Sequence, residues 1–249
     1  VKKRLDILVA ERGLAATRSK AQALIMSGNV LVNDVPITKA GEPVLDSEET
    51  VIRVRGAEHP YVSRGGLKLA KAIEEFKVAV SGRSALDIGA STGGFTEVLL
   101  LNGAEKVFAV DVGHNQMDWK IRNDPKVVCL EKINARELRF EQIAQKVGLI
   151  VMDVSFISIE KIFPALLQFS TEETDWITLI KPQFEVGKDK VGKGGIVTSE
   201  NDRLEAVERI SHFGETLGLR RLNLIESPIT GTDGNKEFLA HWKLKTPPN

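Results

Sequence analysis

The apolar positions change rhythm once along this chain, near residue 58. In the first part, Leu5, Ile7, Leu8 and Val9 make a stripe over a short helix that Gly13 stops. Thr17 or Ser19 can cap a second helix, whose inward face carries Ala21, Ala23, Leu24 and Ile25 and which Gly28 ends. Val30 to Val32, Pro36-Ile37 and Val51 to Val54 read as short strands, with an Asn33-Asp34 turn after the first. Turn character at Ala57-Glu58-His59-Pro60 separates the two regimes. The expected division is a small module at 1–58, a linker at 59–65 and a larger domain at 66–249.

From Leu67 onward, helical and strand periods alternate. The pattern predicts helices over 67–76, 94–102, 116–123, 158–168 and 200–217. Between and after them it predicts strands over 84–88, 106–110, 127–130, 149–153, 176–180, 221–226 and 237–243. Such alternation builds a doubly wound parallel sheet. The last two strands are joined by a segment holding Gly231 and Gly234, with no room for a crossover helix. A parallel connection needs roughly a dozen residues or more, so the final strand is expected to be antiparallel. The fold class is therefore α/β: a small α+β module, then a seven-stranded sheet.

Composition narrows the function classes. Over 249 residues, 42% are hydrophobic and 27% charged, which suits a soluble globular protein. No apolar run approaches the roughly 18–20 residues of a membrane span, and no signal peptide opens the chain. The single Cys129 forms no intramolecular disulfide, so a cytoplasmic location is expected. The four histidines are scattered, and no metal site is expected. Net charge is zero, but Lys2, Lys3, Arg4, Arg12, Arg18 and Lys20 face only Asp6 and Glu11 within residues 1–20. A basic face on the small module points to a polyanionic partner.

Ser84-Ala-Leu-Asp-Ile-Gly-Ala-Ser-Thr-Gly-Gly94 is an apolar strand with a carboxylate near its end and a loop closing on two glycines. The next strand ends in Asp111, placed to accept hydrogen bonds from ribose hydroxyls. The glycine spacing is not Gly-x-Gly-x-x-Gly, and no Gly-Lys-Ser/Thr follows, which excludes a P-loop. Asp87 beside the loop would repel a pyrophosphate and suits a cation. S-adenosylmethionine, with its ammonium and sulfonium groups, fits better than NAD or ATP. Asp87 and Gly89 are expected to border its methionine end and Asp111 to hold its ribose, with Ser91, Thr92, Gly93, Gly94, Val112 and Asn134 completing the cofactor set.

Four further ionisable residues share a logic. Asp153 and Lys181 end parallel strands, and Glu237 begins the antiparallel one, so all three reach one rim of the sheet. Lys68 lies on the helix before the first strand. The segment Gly187 to Gly195 mixes four glycines with Lys188, Lys190 and Lys193, a cationic loop able to close over phosphate.

Arg4-Leu-Asp, Arg18-Ser-Lys-Ala, Leu24-Ile and Gly28-Asn-Val-Leu-Val-Asn33 resemble the S4 RNA-binding domain over roughly residues 2–55. The Lys68, Asp153, Lys181, Glu237 set resembles the tetrad of the FtsJ-like ribose 2′-O-methyltransferases, whose sheet has the architecture expected above. Nearly the whole chain is similar to the TlyA family, ribosomal RNA methyltransferases long labelled haemolysins. The motifs are Ser63-Arg-Gly-Gly, Asp87 to Glu97, Asp111-Val-Gly, Arg122-Asn-Asp-Pro, Asp153 to Ser158 and Lys181 to Lys188. The resemblance implies S-adenosylmethionine as cofactor and ribosomal RNA or a ribosomal subunit as partner, with no membrane and no obligate protein partner. It implies RNA contacts at Lys3, Arg4, Arg18, Lys20, Arg64 and Lys188. The product would be a cytidine methylated on its ribose. Branch members with two targets carry extra residues at both ends, so a single large-subunit target is expected here. Lys181 is assigned as the base, oriented by Asp153, with Lys68 and Glu237 setting its protonation and the position of the hydroxyl. Methylation of cytosine carbon would need a cysteine near the fourth strand, and Cys129 lies on the third. Two other readings stay open: a membrane-active haemolysin, and an RNA-binding protein with a vestigial cofactor fold.

Overall fold

The computed structural model describes residues 2–15, 17–47, 49–54, 59–231 and 234–245. The chain divides into two compact units, Val1–Glu58 and His59–Asn249. The turn at Ala57-Glu58 lies outside the described residues.

The first unit holds β1 (Lys2–Arg4), α1 (Leu5–Glu11), α2 (Arg18–Met26), β2 (Val30–Val32), β3 (Val35–Ile37), β4 (Pro43–Leu45) and β5 (Ile52–Val54). Thr17 caps α2, its hydroxyl accepting from Lys20 N at 3.2 Å. β2 pairs antiparallel with β3 and β5, the expected small sheet. The antiparallel pair β1–β4 was not legible, because three polar residues at Lys2–Arg4 carry no strand period. Leu5, Leu8, Ile25 and Val30 form the buried core.

The second unit begins with α3 (Gly65–Phe76), β6 (Ser84–Ile88), α4 (Gly94–Leu101), β7 (Lys106–Val110), α5 (Trp119–Arg122) and β8 (Val127–Leu130). It continues with α6 (Phe140–Ile143), β9 (Leu149–Met152), α7 (Phe163–Leu166), β10 (Asp175–Ile180), α8 (Pro182–Glu185), α9 (Glu200–Thr216), β11 (Leu219–Glu226) and β12 (Phe238–Leu244). The sheet order is β11-β12-β10-β9-β6-β7-β8. β12 runs antiparallel to both neighbours, as its short connection requires. β9 is buried throughout, and its residues alternate between two cores. Leu149 and Val151 meet α3 and α4 on one face, while Ile150 and Met152 meet Phe163 and Ile210 on the other. Both faces of the sheet are thus covered, which keeps its parallel strands dry.

Two expected helices are shorter in the structure. The one expected over 158–168 is interrupted: Pro164 cannot donate a helical hydrogen bond, and α7 is flanked by single 3-10 turns at Ile159–Lys161 and Leu167–Phe169. The one expected over 116–123 is confined to α5, because Asn115 has positive φ and Asp118 is the N-cap. Residues 59–65 group with the second unit and are packed there. The Val62 backbone N–H donates to Glu97 at 2.5 Å, and a Cβ on Gly66 would run into the Tyr61 ring.

Candidate active site

The carboxyl ends of β6, β7, β9 and β10 meet two adjoining cavities. The smaller, about 370 Å³, is lined by Arg64, Lys68, Gly89, Ser91, Thr92, Gly94, Asp153, Ser155, Lys181 and Glu237 together with the Ile229 to Gly231 backbone. The larger, about 530 Å³, is lined by Asp111, Val112, Gln116, Ile133, Asn134 and Phe156, among others. Gly89, Ser91, Asp153 and Ser155 border both, so the two volumes are compartments of one cleft. Gly89 is required by this junction. Its φ is +81°, and a Cβ there would run into the Asp153 carbonyl oxygen.

In the smaller compartment the four tetrad residues form two ion pairs. Lys181 Nζ lies 2.6 Å from Asp153 Oδ1 and donates to Ser155 Oγ at 2.9 Å. Lys68 Nζ donates to Glu237 Oε2 at 2.5 Å, both side chains being at least nine-tenths buried. Strand register explains the convergence. Ile180 is opposite Phe238, so the next residue outward on β10 and the preceding residue on the antiparallel β12 are Lys181 and Glu237. Lys68 comes from the buried side of α3, the side that also packs Leu69, Ala72 and Phe76 into the core.

In the larger compartment Asp111 is held rigidly by two backbone amides. Its Oδ2 accepts from Ser91 N at 2.8 Å and its Oδ1 from Gly113 N at 2.6 Å. An ionised carboxylate has about four acceptor sites, so lone pairs remain for a ligand. Asn134 caps a 3-10 turn by accepting from Arg136 N, and Val112 is exposed on the rim.

Asp87 and Gly93 line neither compartment. Gly93 begins α4 and packs against Ile121 and Met117. Asp87 is fully buried, with Oδ2 accepting from Thr96 at 2.6 Å and Oδ1 without a partner. Burial pushes its carboxyl up to about 7, and the charges of Asp153 and Asp111 act in the same direction, against the Thr96 hydrogen bond.

Sequence pattern did not single out Ser155, Phe156, Gln116 or Gln183. Phe156 has a φ of +64°, is 91% exposed, and sits 5.1 Å from the Phe184 ring. Gln183 Nε2 reaches Glu237 Oε1 at 3.5 Å, while its Oε1 has no partner. Ser155 and Gln183 each lie two residues beyond a tetrad member and inside the motifs Asp153 to Ser158 and Lys181 to Lys188, which were the signals available for them. Gln116 had none, since its segment read as helix.

The basic residues of the first unit are organised around acids. Asp6 is fully buried and accepts from Arg4 Nε and Nη2, from Arg18 Nε at 3.0 Å, and from Gln22 Nε2 at 2.7 Å. The Arg4 bonds hold its carboxyl well below the usual carboxylate range, outweighing burial, and Gln22 and Arg18 add to the effect. Arg4 and Arg18 keep about half of their side-chain surface exposed. Lys3 bridges Glu11 and Asp46, each at 3.0 Å, and Lys20 is exposed on α2. In the second unit, Arg64 Nη2 donates to the Thr230 carbonyl at 3.3 Å beside the cleft, and Lys188 is exposed. Among the described residues no group of His, Cys, Asp and Glu is arranged to hold a metal ion.

The FtsJ-like methyltransferase family matches residues 61–244, and the S4 domain matches residues 3–50. The 16S/23S rRNA (cytidine-2′-O)-methyltransferase TlyA of Mycobacterium tuberculosis is 43% identical, over 98% of this chain and 90% of that protein. The chain belongs to the TlyA family of FtsJ-like methyltransferases. A second relative of this TlyA-family chain, Hemolysin A of Brachyspira hyodysenteriae, is also 43% identical, over 96% and 99% of the two chains. A solved structure of a candidate hemolysin from Streptococcus thermophilus shares 40% identity at a TM-score of 0.77, covering 99% of this chain and 90% of that one.

Proposed function

We propose that this TlyA-family chain transfers a methyl group from S-adenosylmethionine to the ribose 2′-oxygen of a cytidine in ribosomal RNA. The observation that carries the reading is the pairing of Lys181 with Asp153 and of Lys68 with Glu237 beside the Asp111 compartment. When bound, S-adenosylmethionine supplies a methyl carbon on cationic sulfur, and the carbon–sulfur bond breaks with its electron pair kept by sulfur. Asp111 holds the cofactor ribose, with Val112 and Asn134 on the same wall, and the larger compartment receives the adenosine. The partnerless oxygen of Asp87 and the acidic Asp153 make the neighbourhood of Gly89 suited to a cation. Ser91 borders both compartments, and Thr92 and Gly94 line the smaller one. Lys181, in its neutral form, takes the proton that the 2′-hydroxyl loses as its oxygen bonds to carbon. Asp153 orients Lys181, while Lys68 and Glu237, already neutralising each other, hold the sugar in line.

The test is transfer of labelled methyl to ribosomal subunits and to free RNA, with the product treated with alkali. A methylated 2′-oxygen cannot attack the adjacent phosphate, so the modified linkage should survive. Cleavage there, with the label on the base, would overturn the ribose assignment. The M. tuberculosis relative is named for both 16S and 23S RNA, and a Campylobacter jejuni relative, 34% identical over 96% of this chain, for 23S RNA alone, so the names of relatives do not choose between one target and two. An enzyme of ribosomal RNA works in the cytoplasm, and among the described residues no helix is long and apolar enough to cross a membrane.

Two binding predictions follow from the cofactor wall. Asp111→Ala removes charge-assisted hydrogen bonds of roughly 1.5–3 kcal/mol, so calorimetry should find S-adenosylmethionine bound about ten- to a hundredfold more weakly. Unchanged affinity would show that Asp111 does not hold the ribose. The second concerns pH. Asp87 shifts from the ordinary 3.8 up to about 7, so without cofactor its protonated form is favoured, and the stability this lends is lost as pH rises towards 7. A bound cation favours the ionised form instead. Cofactor affinity should therefore rise as pH climbs to about 7 and then level off, while Asp87→Asn should bind with little pH dependence over that range. A parent titration that is flat from pH 5.5 to 8 would dissociate Asp87 from the cofactor.

A further inference from the structure

The geometry points to Ser155 as a positioning residue that, with Asp153, aims the Lys181 lone pair at the substrate hydroxyl; this rests on the methyltransfer reading above. A neutral lysine nitrogen carries two N–H bonds and one lone pair about its bond to Cε, and it is free to spin unless its hydrogens are held. Lys181 Nζ has two acceptors at hydrogen-bond distance, Asp153 Oδ1 at 2.6 Å and Ser155 Oγ at 2.9 Å. Asp153, when ionised, can only accept, and the Ser155 oxygen accepts from Lys181 as well. Both hydrogens of the neutral amine are thereby engaged, and the remaining tetrahedral position belongs to the lone pair. Lys181 and Ser155 both line the smaller compartment, which leaves that position for a substrate hydroxyl seated there.

With Asp153 alone, one hydrogen is anchored and the nitrogen can rotate about that anchor. The lone pair then spends part of its time turned away from the hydroxyl, and a second N–H takes its place. A general base contributes only when it stands within hydrogen-bond reach in the right orientation. Ser155 is well suited to this task because it borders both compartments, next to the point where the methyl must cross. Its neighbour Phe156 has positive φ, a backbone turn that leaves the serine hydroxyl beside Lys181 while the chain bends away.

The experiment compares the full-length parent with Ser155→Ala and Ser155→Thr under saturating cofactor and RNA. Ser155→Ala should lower kcat about ten- to a hundredfold, the loss of one hydrogen bond to a charged or reacting group. KM for RNA and Kd for S-adenosylmethionine should stay within about twofold of the parent, since uniform binding is untouched. Ser155→Thr keeps the hydroxyl and should recover kcat to within about threefold of the parent, an outcome that mere wall packing does not predict. Ser155→Ala turning over as fast as an active parent overturns the inference alone. A Ser155→Ala loss that appears wholly in cofactor Kd also overturns it, making Ser155 a wall of the cofactor compartment. A parent that methylates no ribose overturns the reading of the site itself, and with it this role for Ser155.

Discussion

Lys181→Ala should reduce methyl transfer about a hundred- to ten-thousandfold, the usual contribution of a general base, while S-adenosylmethionine binds nearly as before. The split follows from where Lys181 stands. It lines the smaller compartment and not the one assigned to adenosine, so its side chain acts on the hydroxyl and not on cofactor affinity. Truncation also leaves Asp153 without its cation, and an unpaired carboxylate next to a cationic sulfur would if anything favour binding. Single-turnover transfer at saturating cofactor, paired with calorimetry, measures both quantities. A variant that transfers methyl at the parent rate removes Lys181 from the chemistry. One that has simply lost the cofactor assigns it to binding.

The second large effect belongs to the first unit. Removing Arg4 and Arg18 alone would strand Asp6, a fully buried carboxylate, with only Gln22 beside it, and would confound RNA binding with unfolding. The clean test therefore combines Arg4→Gln, Arg18→Gln and Asp6→Asn, which removes two cations and the acid that orders them. RNA affinity should fall about a hundredfold or more if each arginine makes a charge-assisted phosphate contact of roughly 1.5–3 kcal/mol. The log–log salt slope should flatten by about 0.7–0.9 for each lost contact. Cofactor binding should be unchanged. Parent-like RNA affinity and slope would move the anchor away from Arg4 and Arg18, with Lys188 and its loop the next surface to vary.

Much of this was written in the periodicity. β7, β9 and β10 are buried strands whose apolar runs stop at Asp or Lys, so both the sheet and its reactive rim could be read together. Glu237 was legible because a short connection forces an antiparallel return. What escaped depends on distance between chain segments. Nothing near Lys68 announces Glu237, which lies 169 residues away. Nothing in a basic run announces that Asp6 gathers its arginines or that Lys3 is already paired with Glu11 and Asp46. The fate of 158–168 turned on Pro164, whose missing donor outweighed an amphipathic stripe. Asp87, expected to border the cofactor, is fully buried and lines neither compartment.

The position of β12 bears on the order in which the sheet can close during synthesis. It is the last strand of the sheet to be made, yet it is inserted between β10 and β11. A nascent chain that has emerged only through β11 has an open edge on β10, an unpartnered β11, and a Lys68 with no Glu237 to meet. Domains fold as units during translation, so the sheet closes only once this strand leaves the exit tunnel. Closure and assembly of the tetrad are then one event. Without β12 the chain would have neither a closed sheet nor the buried Lys68–Glu237 pair.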